Sequence, residues 1–193
     1  MIIDICLVVG AYLAGSLASA IIVARAMGLQ DPRNAGSRNP GATNMLRLHG
    51  RTAAALTLAG DLLKGLLPVL LAVLIGSGPW AVALTGSAAF IGHLYPVFFG
   101  FQGGRGVATF IGVLLGSSWT LGLAYVGTWL VMAVAFRYSS LAAITAAVLT
   151  PLYVWLLDGP VAYLVCYSVL VALLLWRHRP NIRNLLEGKE SKI

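Results

Sequence analysis

Charge is what this sequence has least of. Only 10% of its 193 residues are charged, against roughly 25% in a soluble domain. With 59% hydrophobic residues, a soluble protein of this size could not present a solvated surface. The apolar residues come in long runs and do not alternate with polar ones, which excludes a β-barrel. Asp and Glu number six in all, and no cluster of them suggests Mg²⁺. The two cysteines, Cys6 and Cys166, lie in apolar stretches. No CxxC or Cys/His spacing points to a metal, and both read as small packing hydrophobes. A positive n-region is missing from Met1–Val23, whose only early charge is Asp4. That segment therefore reads as a retained first span and not as an export signal. The fold class that remains is an all-α integral membrane bundle, one domain over residues 1–193.

The apolar runs lie at about 3–27, 52–75, 79–97, 106–116, 119–136, 140–157 and 160–176. Lys and Arg are absent from the breaks Gly76–Pro79, Ser117–Ser118 and Asp158–Pro160. The other breaks and the tail carry Arg33, Arg38, Arg47, Arg51, Arg105, Arg137, Arg177, Arg179, Arg183, Lys189 and Lys192. Loop cations stay cytoplasmic. Seven crossings with the N-terminus outside and the C-terminus in the cytoplasm satisfy that rule throughout. The fourth run is short: ~11 residues reach only about 17 Å, against a ~30 Å hydrocarbon core. Merging it with the fifth would place Arg137 and the basic tail outside, so two crossings are retained. Asp61 and Lys64 stand one turn apart inside the second run and are expected to pair with each other, facing the bundle.

Three polar segments fall on the cytoplasmic side of this topology. The first, Asp31–Asn44, lies in a connection from 28 to 51 that is long for a compact bundle. Its Gly36 and Gly41 allow close backbone approach, and Ser37, Thr43 and Asn44 offer side-chain donors. The turn Met45-Leu46-Arg47 is predicted to be helical and to aim Arg47 back at the loop. Together these compose an anion cradle. The second segment, Gly100-Phe101-Gln102-Gly103-Gly104-Arg105-Gly106-Val107-Ala108-Thr109, runs into the start of a helix. Exposed N–H groups and the helix dipole favour phosphate there, and Arg105 adds a two-pronged donor. It is not a Walker loop, lacking the GK[ST] ending. The third, His178–Leu185, follows the last run and on its own reads equally as a basic lipid-surface anchor. Ser140, in Arg137-Tyr138-Ser139-Ser140, is placed to cap the sixth spanning helix. The second, fourth and sixth spans would all start on the cytoplasmic face, converging their positive dipole ends on one anionic pole.

These residues resemble the PlsY family of bacterial acyl-phosphate:glycerol-3-phosphate acyltransferases over essentially the whole chain. Gly15-Ser16, Asp31, Arg33, Gly36-Ser37, Asn39, Gly41-Ala42-Thr43-Asn44 and Arg47 are similar to its first motif. Asp61-Leu62-Leu63-Lys64-Gly65 resembles a segment of its second helix. Gly92-His93, Pro96, Phe98 and Gly103–Thr109 look like its second motif. Ser139-Ser140-Leu141, His178-Arg179, Asn181-Ile182, Leu185, Gly188 and Glu190 look like its last. The family usually carries Lys where this chain has Arg105, and the change exchanges a point charge for a fork.

The resemblance implies transfer of a fatty acyl group from acyl phosphate to the first hydroxyl of glycerol 3-phosphate, giving lysophosphatidic acid and phosphate. It implies catalytic roles for Ser37, Arg47, Arg105, His178 and Asn181. Gly36, Gly41, Thr43, Asn44, Gly103, Gly104, Gly106, Thr109 and Ser140 would bind substrate. Partners would be the two substrates and membrane lipids, with no nucleic acid, cofactor or metal, and with the monomer active in the bacterial inner membrane. No Ser/His/Asp set has recognisable spacing, and no Asp follows His49, His93 or His178 in the His-x4-Asp pattern. Direct attack by the glycerol hydroxyl is therefore expected. Either His178 or the substrate's own phosphate would take the proton, the latter being preferred. The competing class is an organic-phosphate transporter, whose site would sit near the midplane; a non-catalytic lipid-binding scaffold is a third.

Overall fold

The computed structural model describes residues 1–193, all helix and loop with no strand. The helices are α1 Ile2–Gly15, α2 Ser19–Ala26, α3 Ala42–Leu74, α4 Pro79–Leu94, α5 Val107–Ser117, α6 Trp119–Phe136, α7 Ser139–Leu156, α8 Val161–Arg177 and α9 Arg179–Leu186. Four are long and apolar enough to cross a membrane. Two bent pairs, α1 with α2 and α8 with α9, reach that length only together, and α5 is a shorter apolar helix.

The first apolar run differs from the continuous helix expected over 3–27. It is two helices bent by 46°. Ser16 Oγ bonds back to the Tyr12 carbonyl at 2.8 Å, and Gly15 lies where any Cβ would collide with the Ala89 backbone of α4. Close packing of α1 on α4 fixes the bend point. The Leu17 carbonyl freed at the break accepts from Lys64 Nζ at 2.9 Å, which satisfies a backbone group that an apolar bundle would otherwise leave unpaired. Lys64 is in turn 2.8 Å from Asp61, so the anticipated i,i+3 pair forms and faces the bundle. Both side chains are nearly inaccessible.

Gly50, at φ 82 and ψ −173, divides α3 into a short first segment carrying Thr43–Arg47 and the long apolar segment behind it. The helical turn anticipated at Met45–Arg47 is that first segment. Small residues let α5 lie against α3. Cβ atoms at Gly65 and Gly112 would strike the carbonyls of Thr109 and Leu62, the close approach typical of membrane helices. Phe110 of α5 sits at the centre of the bundle. Its ring centroid is 5.7 Å from Phe90, 5.7 Å from Tyr125 and 6.1 Å from Tyr167, all edge-on. The apolar surface points outward instead: Val134 is 79% exposed and Val161 68%.

The loops sort to two ends. One end joins Asp4 to Ser77 at 3.0 Å and has a second cleft between Ser117–Ser118 and Asp158–Pro160. The other end receives every Lys and Arg except Lys64.

Candidate active site at the basic end

At the basic end, loop 27–41 is held by its own side chains. The Asp31 carboxylate accepts from the Arg33 backbone at 2.9 Å and from the Arg33 guanidinium at 2.7 Å. That contact holds the Asp31 carboxyl below its ordinary range and lifts Arg33. Arg33 also reaches the Phe99 carbonyl. Asn44 is buried inside the loop. It accepts the Ser37 N–H at 3.0 Å and donates to the carbonyls of Pro32 and Ala35. The amide is thus fully committed to folding the loop, and Gly36 (φ 59) is the position where the chain turns over it. Gly41 is extended, at φ −147, and begins α3.

The glycine loop is clamped from two sides. Beneath it, the Gly104 N–H donates to the His93 carbonyl at 3.2 Å. A Cβ at Gly103 would collide with that carbonyl, and one at Gly104 with His93 Nε2. Above it, Arg177 donates through Nη2 to the Gly103 carbonyl at 2.7 Å and through Nε to the Gly104 carbonyl at 3.2 Å. Its guanidinium lies 5.8 Å from the centre of the Tyr95 ring. His93 Nδ1 is 3.5 Å from the Asp61 carboxylate, so the buried Asp61–Lys64 pair supports the loop from below.

These elements enclose a cleft of about 210 Å³ with no hydrophobic lining. Ser37, Arg38 and Asn39 form one wall, Gly103 and Arg105 another, and Arg177, Arg179 and Pro180 the third. Burial pushes the Arg105 guanidinium below its ordinary value, with nearby Glu190 acting in the opposite sense. The starts of α3, α5 and α7 have no side-chain cap, in keeping with an anionic pole.

Of the residues singled out in the sequence, Ser37, Gly103 and Arg105 meet in this cleft. A second group gathers beside it around the tail. Ser140 Oγ and Asn181 Nδ2 both donate to Glu190, at 2.7 and 2.8 Å. Arg47 donates to the Ser191 carbonyl at 3.0 Å. Ser140 therefore does not cap α7. The helix starts at Ser139, with Tyr138 as N-cap and no side-chain bond. Ser140 thus lies inside the first turn, past the position from which a hydroxyl accepts the free N–H groups, and its hydroxyl donates to Glu190 instead. Thr43 contacts Ser139 at 3.3 Å, joining the starts of α3 and α7. His178 is 2% exposed and bonded through Nδ1 to the Leu174 carbonyl at 2.9 Å. Gly106 caps the start of α5. Thr109 lies apart from the cleft, buried where α5 meets α3.

Arg38, Asn39, Arg177 and Arg179 also line the cleft. Asn39 and Arg179 stand within the family motifs and Arg38 within the 31–44 cradle, but the sequence assigned none of the four a role of its own. Arg177 ends an apolar run and looks like any interfacial anchor. Its role depends on a loop 73 residues away.

Residues 5–188 match the family described as glycerol-3-phosphate acyltransferase. The chain belongs to that family. A glycerol-3-phosphate acyltransferase of Hydrogenovibrio crunogenus is 54% identical over 187 residues, 96% of this chain and 90% of its own length. One from Thioalkalivibrio sulfidiphilus is 54% identical over the whole of this chain and 95% of its own. Among solved structures, the chain is similar to PlsY (YgiH), described as an integral membrane glycerol 3-phosphate acyltransferase. The glycerol 3-phosphate form superposes with a TM-score of 0.94 at 42% identity, covering 98% of this chain and 95% of that one. The lysophosphatidic acid form gives 0.92 at 40% identity, over the same shares of the two chains.

Proposed function

We propose that this chain transfers a fatty acyl group from acyl phosphate to the sn-1 hydroxyl of glycerol 3-phosphate, yielding lysophosphatidic acid and inorganic phosphate. The observation that carries the reading is the cleft itself: its charged side chains are all arginines, set beside a backbone loop of glycines. Two substrates that each end in phosphate suit such a lining. The acyl chain, being apolar, would lie along the bundle in lipid.

The hydroxyl oxygen attacks the acyl carbonyl carbon. The bond from that carbon to the bridging oxygen breaks, and its electron pair leaves on phosphate. Arg105 and the loop Gly103–Gly106 at the start of α5 would hold the donor and stabilise the developing oxyanion. Ser37, Arg47 and Asn181 would orient glycerol 3-phosphate, and Ser140 would assist once released from Glu190. Direct attack is favoured because Cys6 is exposed on α1, Cys166 lies within α8, and Ser37 has no histidine bonded to it. His178 donates its Nδ1 proton to a backbone carbonyl, and burial pushes its imidazole down to about 4. Such a group is a weak base at neutral pH. Substrate phosphate is therefore the preferred proton acceptor.

The concentration of cations at one end supports seven crossings with that end in the cytoplasm. The setting would be the bacterial inner membrane, with the monomer active. The deciding experiment is phosphate release by the purified protein in lipid from palmitoyl phosphate, with and without glycerol 3-phosphate, beside a tube given palmitoyl-CoA. Release that requires glycerol 3-phosphate, with lysophosphatidic acid formed and the CoA ester inert, is expected. Acyl transfer from the CoA ester instead would overturn the choice of donor.

A further inference from the structure

Arg38, Arg105 and Arg179 all line the cleft, and the guanidinium of none of them makes a hydrogen bond or ion pair within the protein. Arg179 is only stacked, 4.4 Å above the Trp176 ring. Arg177, the fourth arginine, is committed to the Gly103 and Gly104 carbonyls. Three unpaired guanidinium groups around about 210 Å³ repel one another unless an anion lies between them. Arg38 is held there in a left-handed backbone conformation, at φ 56. Few residues other than glycine adopt it, and such strain gathers at ligand clamps.

The two phosphate groups of the reaction each carry about −1.5 to −2 charge near neutrality, by analogy with phosphorylated side chains. Of the residues assigned to glycerol 3-phosphate, Ser37 alone lines the cleft, and it carries no charge. Arg47 and Asn181, with Ser140, cluster at Glu190 and Ser191 and do not line it. The cleft arginines are left for the other phosphate.

We propose that Arg38 and Arg179 form the seat of the leaving phosphate. They bind the phosphoryl group of the acyl donor and then the inorganic phosphate it becomes. As the carbonyl carbon separates from the bridging oxygen, the electron pair moves onto phosphate between two guanidinium groups. The hydroxyl proton ends on that phosphate. Binding that strengthens as charge builds on the leaving group accelerates the step. This inference rests on the acyl-phosphate reading above.

The test uses Arg38→Gly, because glycine accepts φ 56 without strain and the variant loses the cation without a folding defect at that position. Arg179→Gln is its companion, since glutamine is a good helix former. Wild type and variants are assayed in phosphatidylcholine nanodiscs, which carry no net headgroup charge. For Arg38→Gly, KM for palmitoyl phosphate and the inhibition constant of inorganic phosphate should each rise about tenfold, the effect of one lost charge-assisted bond. KM for glycerol 3-phosphate should stay within about twofold by the same reasoning. A rise for glycerol 3-phosphate alone would overturn the assignment, as would unchanged constants in both variants. If an effect emerged only in anionic vesicles, the arginines would serve lipid headgroups and the proposal would fall. The protection of each protein by inorganic phosphate against thermal unfolding is measured in parallel. Should wild type fail to use palmitoyl phosphate, the choice of donor fails. In that case protection lost in Arg38→Gly still supports an anion seat, and equal protection refutes it.

Discussion

Arg177 Nη2 donates to the carbonyl of Gly103 at 2.7 Å across 74 residues of sequence. With the second bond to Gly104, this fixes which way the peptide groups before Arg105 face. Truncation to Ala removes two charge-assisted bonds, each worth roughly 1.5–3 kcal/mol. Loop disorder on that scale, about 3–6 kcal/mol for the two bonds together, should lower kcat by about 10²- to 10⁴-fold at 1.4 kcal/mol per decade. Arg177→Lys, which can reach one carbonyl but not both, should recover part of the loss. Steady-state kinetics with both substrates would check this; equal activity in Ala and Lys variants would show that the clamp plays no part.

The helical pattern, the short fourth apolar run and the concentration of cations at one end were all legible in the sequence, because composition and spacing alone carry them. The Asp61–Lys64 pair was legible too, since i,i+3 spacing within one helix needs no tertiary knowledge. Three features were not. The bend after Gly15 depends on close contact with α4. His93, a lone histidine in an apolar run, acquires its place only when α3 and α4 bring it to Asp61. Glu190, resembling the family's last motif, gave no sign that it would take up Ser140 and Asn181. Each is a long-range contact with no local periodic signal.

Steric demand at the glycine loop is testable one position at a time. A Cβ on Gly103 would run into the backbone carbonyl of His93, which cannot rotate away, whereas a Cβ on Gly127 meets nothing within 4 Å. Gly103→Ala should therefore displace the loop and cut turnover by about 100-fold or more, as small misplacements near reacting groups do. Gly127→Ala should leave turnover unchanged and raise helix stability by up to about 1 kcal/mol. Comparable activity in the two variants would remove the glycine loop from the candidate site.

Buried charge gives an asymmetric expectation at Asp61 and Lys64. Removing one partner of a buried pair costs about 3–5 kcal/mol, so Asp61→Asn should lower the thermal midpoint in detergent sharply. Replacing both, as Asp61→Leu with Lys64→Met, removes the stranded charge. It still leaves the Leu17 carbonyl at the bend without its donor, which costs about 1–3 kcal/mol. The double variant should thus fall between Asp61→Asn and wild type. A double variant as stable as wild type would mean that the Leu17 contact contributes nothing.

His178 supplies a pH signature, because burial holds its folded value at about 4 while an unfolded imidazole titrates near ~6.5. A depressed folded value means that the unfolded chain takes up the proton first. The contribution of His178 to stability is therefore fully present above pH ~6.5, declines as the pH falls, and is gone below about 4. Between pH 7.5 and 5 the loss amounts to about 2 kcal/mol at 1.36 kcal/mol per unit. Unfolding midpoints of the detergent-solubilised protein should drop over that window. In His178→Asn the slope should flatten, while the high-pH midpoint falls by the loss of packing and of the bond to Leu174. If wild type and variant kept the same slope, the acid sensitivity would belong to other groups and the imidazole would not be held neutral by burial. A flattened slope with turnover largely retained would favour substrate phosphate as proton acceptor.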